Sequence, residues 1–216
     1  MIAAKTEDGR YVAATLVKDA GFSAKEACAL QWGDVIFNDN SYGYVCIRLR
    51  RDDIAGATHD FTRPVLPFEG EVLHRRYDYL CTQYSSAELA EMPVASLGTN
   101  PKKALTNKTL ASFCKAILLN SGFAGFANQV QQDSEKHGAG VNILLKNYTY
   151  KLSHYCGLYA DKSDVRFLLG KSVAKDVTAD NYRSFLIAAR HGLEGTVYAR
   201  AIDDAGKAHR YVKQRR

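Results

Sequence analysis

The sequence lacks the features that mark a membrane protein, a secreted disulfide scaffold or a zinc-binding module. No apolar run approaches the length of a bilayer span, and the N-terminus becomes charged within a few residues, so we expect no membrane span and no signal peptide. The five cysteines are odd in number and scattered, and none belongs to a Cys-x-x-Cys pair. This pattern predicts reduced, buried thiols in a cytoplasmic protein.

Extremes of composition are also missing. The 216 residues are 46% hydrophobic and 24% charged, which is typical of an ordinary globular protein, and the chain has no internal repeat or low-complexity tract. The net charge of +6 and the pI of about 9.0 amount to a modest basic bias. Such a bias is compatible with a polyanionic partner but does not identify one.

The spacing of apolar residues predicts an α+β chain that is mainly helical. A first helix over residues 10–19 is closed by Gly21, and a second, opened by the capping box Ser23-Ala24-Lys25-Glu26, runs to Gly33. Three short strand patterns follow within residues 34–66 and predict a small three-stranded antiparallel sheet.

Helices dominate the predicted structure after the sheet. They cover residues 71–84, 106–118, 141–156 and 163–169, with a polar loop over residues 96–103. Residues 196–212 alternate in polarity around a turn and predict a β-hairpin. We therefore predict one domain over residues 1–192 and a C-terminal hairpin or tail over residues 193–216.

Three stretches resemble the catalytic domain of the tyrosine recombinases, the phage-integrase family. Residues 21–35, GFSAKEACALQWGDV, are similar to that family's "GLRxSEALALxWxDI" segment. Leu144-Leu145-Lys146-Asn147 resembles its "HxLRH" helix, and Leu168-Leu169-Gly170-Lys171-Ser172 with Tyr182 resembles its "LLGHS…Y" segment. The resemblance covers residues 10–190 and implies the integrase-like catalytic fold, with no room for the family's N-terminal core-binding domain.

The resemblance also implies a chemistry. In that family a tyrosine hydroxyl attacks a DNA phosphodiester and forms a phosphotyrosyl link without a metal or other cofactor. Arginines hold the charge of the transition state, and a lysine or histidine protonates the leaving oxygen. By position Tyr182 is the nucleophile, Lys146 replaces an arginine, and Lys171 replaces a histidine or tryptophan. The family's lysine falls near Arg50 or Arg51.

Several positions depart from the family pattern and predict impaired catalysis. Ser23 stands at the position of the first catalytic arginine and supplies no charge, and Ile143 stands at that of a histidine. Lys146 carries charge but lacks the planar fork that binds a phosphate through two hydrogen bonds. Because removing one preorganised donor typically costs about 10²–10³-fold in rate, strand cleavage is expected to be slow or absent.

We therefore predict a DNA-binding, integrase-like protein related to site-specific recombinases, and the sequence leaves open whether it is an enzyme and whether it forms a homo-oligomer on DNA. The catalytic candidates are Tyr182, Lys146, Lys171 and Arg51. The candidates for binding backbone phosphates are Arg50, Lys102, Lys103 and Lys108.

Two alternatives remain. The chain is a non-catalytic DNA-binding or regulatory module on the same scaffold, or a helical interaction protein whose resemblance is coincidental. Each site residue also has an ordinary structural interpretation. Tyr182 is then an aromatic packed near Phe185, Lys171 caps the preceding helix, and the other lysines are solvated surface charges. Arg50 and Arg51 form a charged hairpin edge.

Overall fold

A computed structural model describes residues 8–37, 45–50, 61–65, 67–98 and 100–120, together with Val141 and Leu144. The chain divides into two compact units, one containing residues 1–33 and 75–148 and the other residues 34–74 and 149–216. The described residues form helices and small antiparallel sheets, and 59% of them are helical. The mixed, mainly helical class predicted from the sequence is therefore confirmed for this part of the chain.

The first described element of the first unit is helix α1, Gly9–Ala20, as the sequence predicts. Asp8 is its N-cap and accepts a hydrogen bond from the backbone N–H of Arg10. Gly21 ends the helix in the left-handed conformation, with φ of 70°, which a residue without a β-carbon adopts at little cost. The helix is buried along most of its length. Its buried residues are Gly9, Val12, Ala13, Ala14, Thr15, Leu16, Val17 and Ala20.

Helix α2, Ala24–Ala29, starts at the predicted capping box but ends earlier than predicted. Leu30 is extended, and residues 32–34 form a single 3₁₀ turn instead of continuing the helix to Gly33. The reason is a set of backbone bonds to a later segment. Trp32 N–H donates to Met92 O at 2.9 Å, and Val94 N–H donates to Leu30 O at 3.0 Å. These bonds use backbone groups that a longer helix would need.

Helix α3, Pro67–Cys81, both begins and ends earlier than the helix predicted over residues 71–84. Proline is tolerated in a first helical turn because its missing N–H has no partner there. A further short helix that the sequence analysis missed, α4, Ser86–Glu91, follows it. Residues 75–81 of α3 and the whole of α4 belong to the first unit.

The predicted loop over residues 96–103 is wrong, because this segment contains a β-hairpin. Strands β4, Ser96–Leu97, and β5, Asn100–Ala104, pair antiparallel. The side chains of β5 are mostly exposed, so the strand shows no apolar alternation by which the sequence could have revealed it. Helix α5, Asn107–Leu119, then starts at the N-cap Thr106, as predicted, and it packs against α1 and α2.

The second unit contains the predicted three-stranded antiparallel sheet. Its strands are β1, Val35–Phe37, β2, Val45–Leu49, and β3, Phe61–Pro64, in the order β1-β2-β3. Residues 67–74 of α3 follow, and the backbone of Gly70 lies close to Val45. The rings of Phe37 and His74 stack with centroids 4.3 Å apart.

The prediction that the cysteines are buried holds only in part. Cys46 and Cys114 are buried, Cys28 is half-buried and Cys81 is exposed at the end of α3. In the part of the chain that the structure describes, no helix is long and apolar enough to cross a membrane.

Most of the C-terminal predictions lie outside the described residues. Of the helix predicted over residues 141–156, Val141 and Leu144 are described, and both are helical and buried. The helix predicted over residues 163–169 and the hairpin or tail over residues 193–216 lie outside.

Candidate functional site

The predicted site residues divide between described and undescribed parts of the chain. Tyr182, Lys146, Lys171 and Arg51 lie outside the described residues. Arg50 is described in the second unit, and Lys102, Lys103 and Lys108 are described in the first. The nucleophile and its catalytic neighbours therefore stay predictions, and the geometry concerns the candidates for phosphate binding.

Lys102, Lys103 and Lys108 lie on either side of the junction between β5 and α5, and we call these three the junction lysines. All three are exposed. The buried residue Leu105 anchors the junction, since its N–H donates to Ala95 O at 2.9 Å. Thr106 Oγ1 accepts from the N–H of Thr109 at 3.1 Å and starts the helix. The junction lysines are thus presented from backbone that is itself held by hydrogen bonds.

Lys102 already has partners on the protein surface. Its Nζ lies 3.5 Å from Glu88 Oε1 and 4.9 Å from the centre of the Tyr84 ring. The side chains of Lys102 and Glu88 are 54% and 52% exposed, so this ion pair is screened by water and salt. These two weak contacts hold the Lys102 ammonium beside Tyr84 and Glu88.

Glu88 is fixed in place by the start of α4. Its Oε2 accepts from the N–H of Ser85 at 3.1 Å and from the Ser85 hydroxyl at 2.9 Å, while Ser85 Oγ accepts from the N–H of Glu88. This is a capping box. Backbone and side-chain hydrogen bonds from Ser85, and then the charge of Lys102, lower the pKa of Glu88. At neutral pH Glu88 therefore carries a negative charge beside Lys102.

Lys103 and Lys108 differ from Lys102. Successive residues of a strand point to opposite faces, so Lys103 faces away from Lys102 and its partners. Neither Lys103 nor Lys108 forms an ion pair with any described residue. Lys108 lies in the first turn of α5, which contains no acidic residue. Its charge and the positive end of the helix dipole therefore add rather than cancel.

Arg50 follows β2 and is held by a buried carboxylate. Its Nε and Nη2 donate to Asp34 Oδ1 at 3.2 and 3.0 Å. The Asp34 side chain is 5% exposed, whereas that of Arg50 is 49% exposed. One edge of the guanidinium thus serves the fold of the second unit, and the side chain as a whole is about half exposed.

Ser23, which stands at the position of the family's first catalytic arginine, acts as a helix cap. Its Oγ accepts from the N–H of Glu26 at 3.2 Å, and its own N–H donates to Glu26 Oε2 at 2.6 Å. The predicted capping box is confirmed, and the hydroxyl oxygen is engaged in it.

Sequence reasoning missed three residues that set the state of the basic candidates: Asp34 at Arg50, and Tyr84 and Glu88 at Lys102. A signal for Glu88 was present, since Ser85-Ser86-Ala87-Glu88 has the spacing of a capping box. Nothing in the sequence pairs Lys102 with that helix.

Among the described residues, no group of three or more histidine, cysteine, aspartate or glutamate side chains is arranged to hold a metal ion. No protein-family model, no curated protein and no solved structure matches the chain.

Proposed function

We propose that this protein binds the phosphate backbone of DNA and that Lys103 and Lys108 are its main phosphate contacts in the first unit. The observation that carries the proposal is the exposed, unpaired state of these two ammonium groups within the described structure. A lysine that has no acidic partner gives up no protein contact when it meets a phosphate. The helix dipole at the start of α5, where Lys108 lies, also favours an anion.

The order of the described elements is compatible with the integrase-like resemblance. Two helices precede a three-stranded antiparallel sheet, and a helix follows it. The capping box lies within residues 21–35, one of the stretches that resemble the family, at the start of α2. A fold order does not by itself carry a function, so the proposal depends on the charged side chains and on the motifs around Lys146, Lys171 and Tyr182.

If the chain cleaves DNA, Tyr182 Oη loses its proton and attacks the phosphorus, the bond to the leaving deoxyribose oxygen breaks, and that oxygen takes up a proton. The product is a phosphotyrosyl link and a free hydroxyl end, with the bond energy kept for rejoining. Lys146 and Lys171 supply positive charge for the phosphate in this proposal. Ser23 has no charge and its oxygen serves the cap of α2, so we propose slow cleavage.

The test is a nicked duplex that traps a covalent protein–DNA adduct, run beside a binding assay at low salt. An adduct that forms slowly and disappears in Tyr182→Phe supports a weakened recombinase. An adduct that persists in Tyr182→Phe contradicts the assignment of the nucleophile.

A second candidate function is a DNA-binding module without catalysis. The observation that favours it is the use of Ser23 as a helix cap where the family has an arginine. DNA binding with no adduct supports this candidate. No binding of duplex DNA at low salt contradicts both functions.

A further inference from the structure

The three junction lysines are not equivalent, and the difference lies in what faces each ammonium. Lys102 Nζ has a carboxylate oxygen at 3.5 Å and an aromatic face at 4.9 Å. Lys103 and Lys108 have no such partner among the described residues. A phosphate that approaches Lys102 therefore meets a negative charge already in place.

Glu88 is not free to swing away from that position. Both donors of Ser85, the backbone N–H and the hydroxyl, bond to Oε2, which leaves Oε1 directed at Lys102. If the Glu88 side chain turned away from Lys102, it would break the capping box that begins α4. A surface carboxylate on an unrestrained side chain would make a weaker competitor, since it could turn into solvent at no structural cost.

We propose that Glu88 is a built-in competitor that keeps Lys102 out of the set of phosphate contacts, so that the protein's affinity for DNA is held below what its lysines allow. The inference rests on the proposed DNA binding and adds a regulation of the same surface. Like charges at an interface suppress binding, so Glu88 acts twice: it occupies Lys102 and it repels the phosphate. Removing the charge of Glu88 would therefore make Lys102 available to a phosphate.

The variant that tests this is Glu88→Gln. Glutamine is an accepted partner in a capping box, so the amide oxygen still accepts from Ser85 and α4 is expected to form. The matched control is Glu91→Gln, which removes the same charge from the same helix. Glu91 is exposed and contacts no basic side chain in the described part of the chain. Equal melting temperatures of the two variants and the parent establish that all are folded.

The measurement is the dissociation constant for duplex DNA as a function of salt. We expect Glu88→Gln to bind about two- to fivefold more tightly than Glu91→Gln at low salt. The slope of log K against log[salt] should steepen by about 0.9, the contribution of one additional phosphate contact. Lys102→Ala should leave affinity and slope nearly unchanged in the parent protein and should abolish the gain in the Glu88→Gln background.

The outcomes separate the two claims. If the parent binds DNA but Glu88→Gln and Glu91→Gln behave alike, the competitor role is wrong and the DNA binding stands. If Lys102→Ala already weakens the parent as much as it weakens Glu88→Gln, Lys102 contacts phosphate in spite of Glu88 and the inference is again wrong. If the parent binds no DNA at low salt, the proposed function fails and this inference fails with it.

Discussion

Arg50 donates two hydrogen bonds to a single oxygen of Asp34, from Nε at 3.2 Å and from Nη2 at 3.0 Å. The acceptor is buried and the donor is half-exposed. A buried carboxylate that loses its hydrogen-bonded cation keeps its desolvation cost, so this arginine has a structural role whatever it contacts outside the protein. Any effect of an Arg50 variant on DNA binding must therefore be compared with its effect on the free energy of unfolding.

Replacing Arg50 with alanine should destabilise the protein. We expect a loss of about 1–3 kcal/mol in the free energy of unfolding, measured by urea denaturation, because Asp34 stays buried with fewer donors. The control is Arg48→Ala on β2, an exposed arginine that makes no ion pair with a described residue, and it should change stability by about 0.5 kcal/mol or less. Equal effects of the two substitutions would contradict the role of the Arg50–Asp34 pair.

Gly9 should not tolerate a side chain. A β-carbon there would collide with Ser96 Oγ and would lie 2.8 Å from the backbone nitrogen and 2.9 Å from the backbone oxygen of Ser96. Gly9→Ala should therefore cost about 1–3 kcal/mol of stability. Ser96→Ala should not rescue it, because the backbone atoms of β4 remain in the way.

The control for Gly9 is another helical glycine, Gly70 of α3. A β-carbon at Gly70 would meet only the side chain of Val45, at 3.2 Å. Alanine also stabilises a helix by about 1 kcal/mol relative to glycine. Thermal unfolding should show a smaller loss for Gly70→Ala than for Gly9→Ala. The reverse order would show that α1 is not held closely against β4.

The ion pair between Asp8 and Arg10 should make part of the protein's stability depend on pH in the acidic range. Burial raises the pKa of Asp8, but the hydrogen bonds from Arg10 and the charges of Arg10 and Arg76 outweigh it, and the pKa falls below the ordinary value of 3.8. A lowered pKa means that the stabilisation is present in full above pH 3.8 and is lost as the pH falls through the folded-state pKa.

The variant for this pair is Asp8→Asn, which keeps an N-cap but carries no charge. The difference in unfolding free energy between the parent and Asp8→Asn should be constant near neutral pH and should shrink below pH 3.8. A difference that stays constant down to pH 2 would mean that the charge of Asp8 contributes nothing.

The described thiols should react in a fixed order. Burial raises the pKa of Cys28 to about 11 and those of Cys46 and Cys114 to about 12, so little thiolate is present at neutral pH. Cys81 is exposed and should be alkylated first. Peptide mapping after a short pulse of iodoacetamide gives the order, and unfolding in urea should remove the difference. Early labelling of Cys114 would contradict the packing of α5.

Local sequence signals predicted the helices and the main sheet better than their boundaries. The Ser23 capping box, Gly21 and Thr106 act within a few residues, so α1, the start of α2 and α5 could be predicted directly. The end of α2 depends on backbone bonds to residues 92–94, which lie far along the chain. The β4–β5 hairpin was missed because an exposed strand has no buried face to impose alternation.

The candidate site shows the same limit in its charges. The sequence identified Lys102, Lys103 and Lys108 as basic and exposed, and all three are exposed. It could not show that Lys102 faces Glu88 whereas Lys103 does not, because that difference depends on where α4 packs relative to β5. The electrostatic state of a surface lysine is a tertiary property.

The most direct test of the proposed function is the salt dependence of duplex DNA binding by the parent, Lys103→Ala, Lys108→Ala and Lys25→Ala. Lys25 is an exposed lysine on α2, so its removal controls for the loss of one charge. If Lys103 and Lys108 contact phosphates, log K falls linearly with log[salt], and each of their substitutions makes the slope shallower by about 0.9. Lys25→Ala should leave the slope unchanged. The same slope in all four proteins, or no binding by the parent at low salt, would contradict the account.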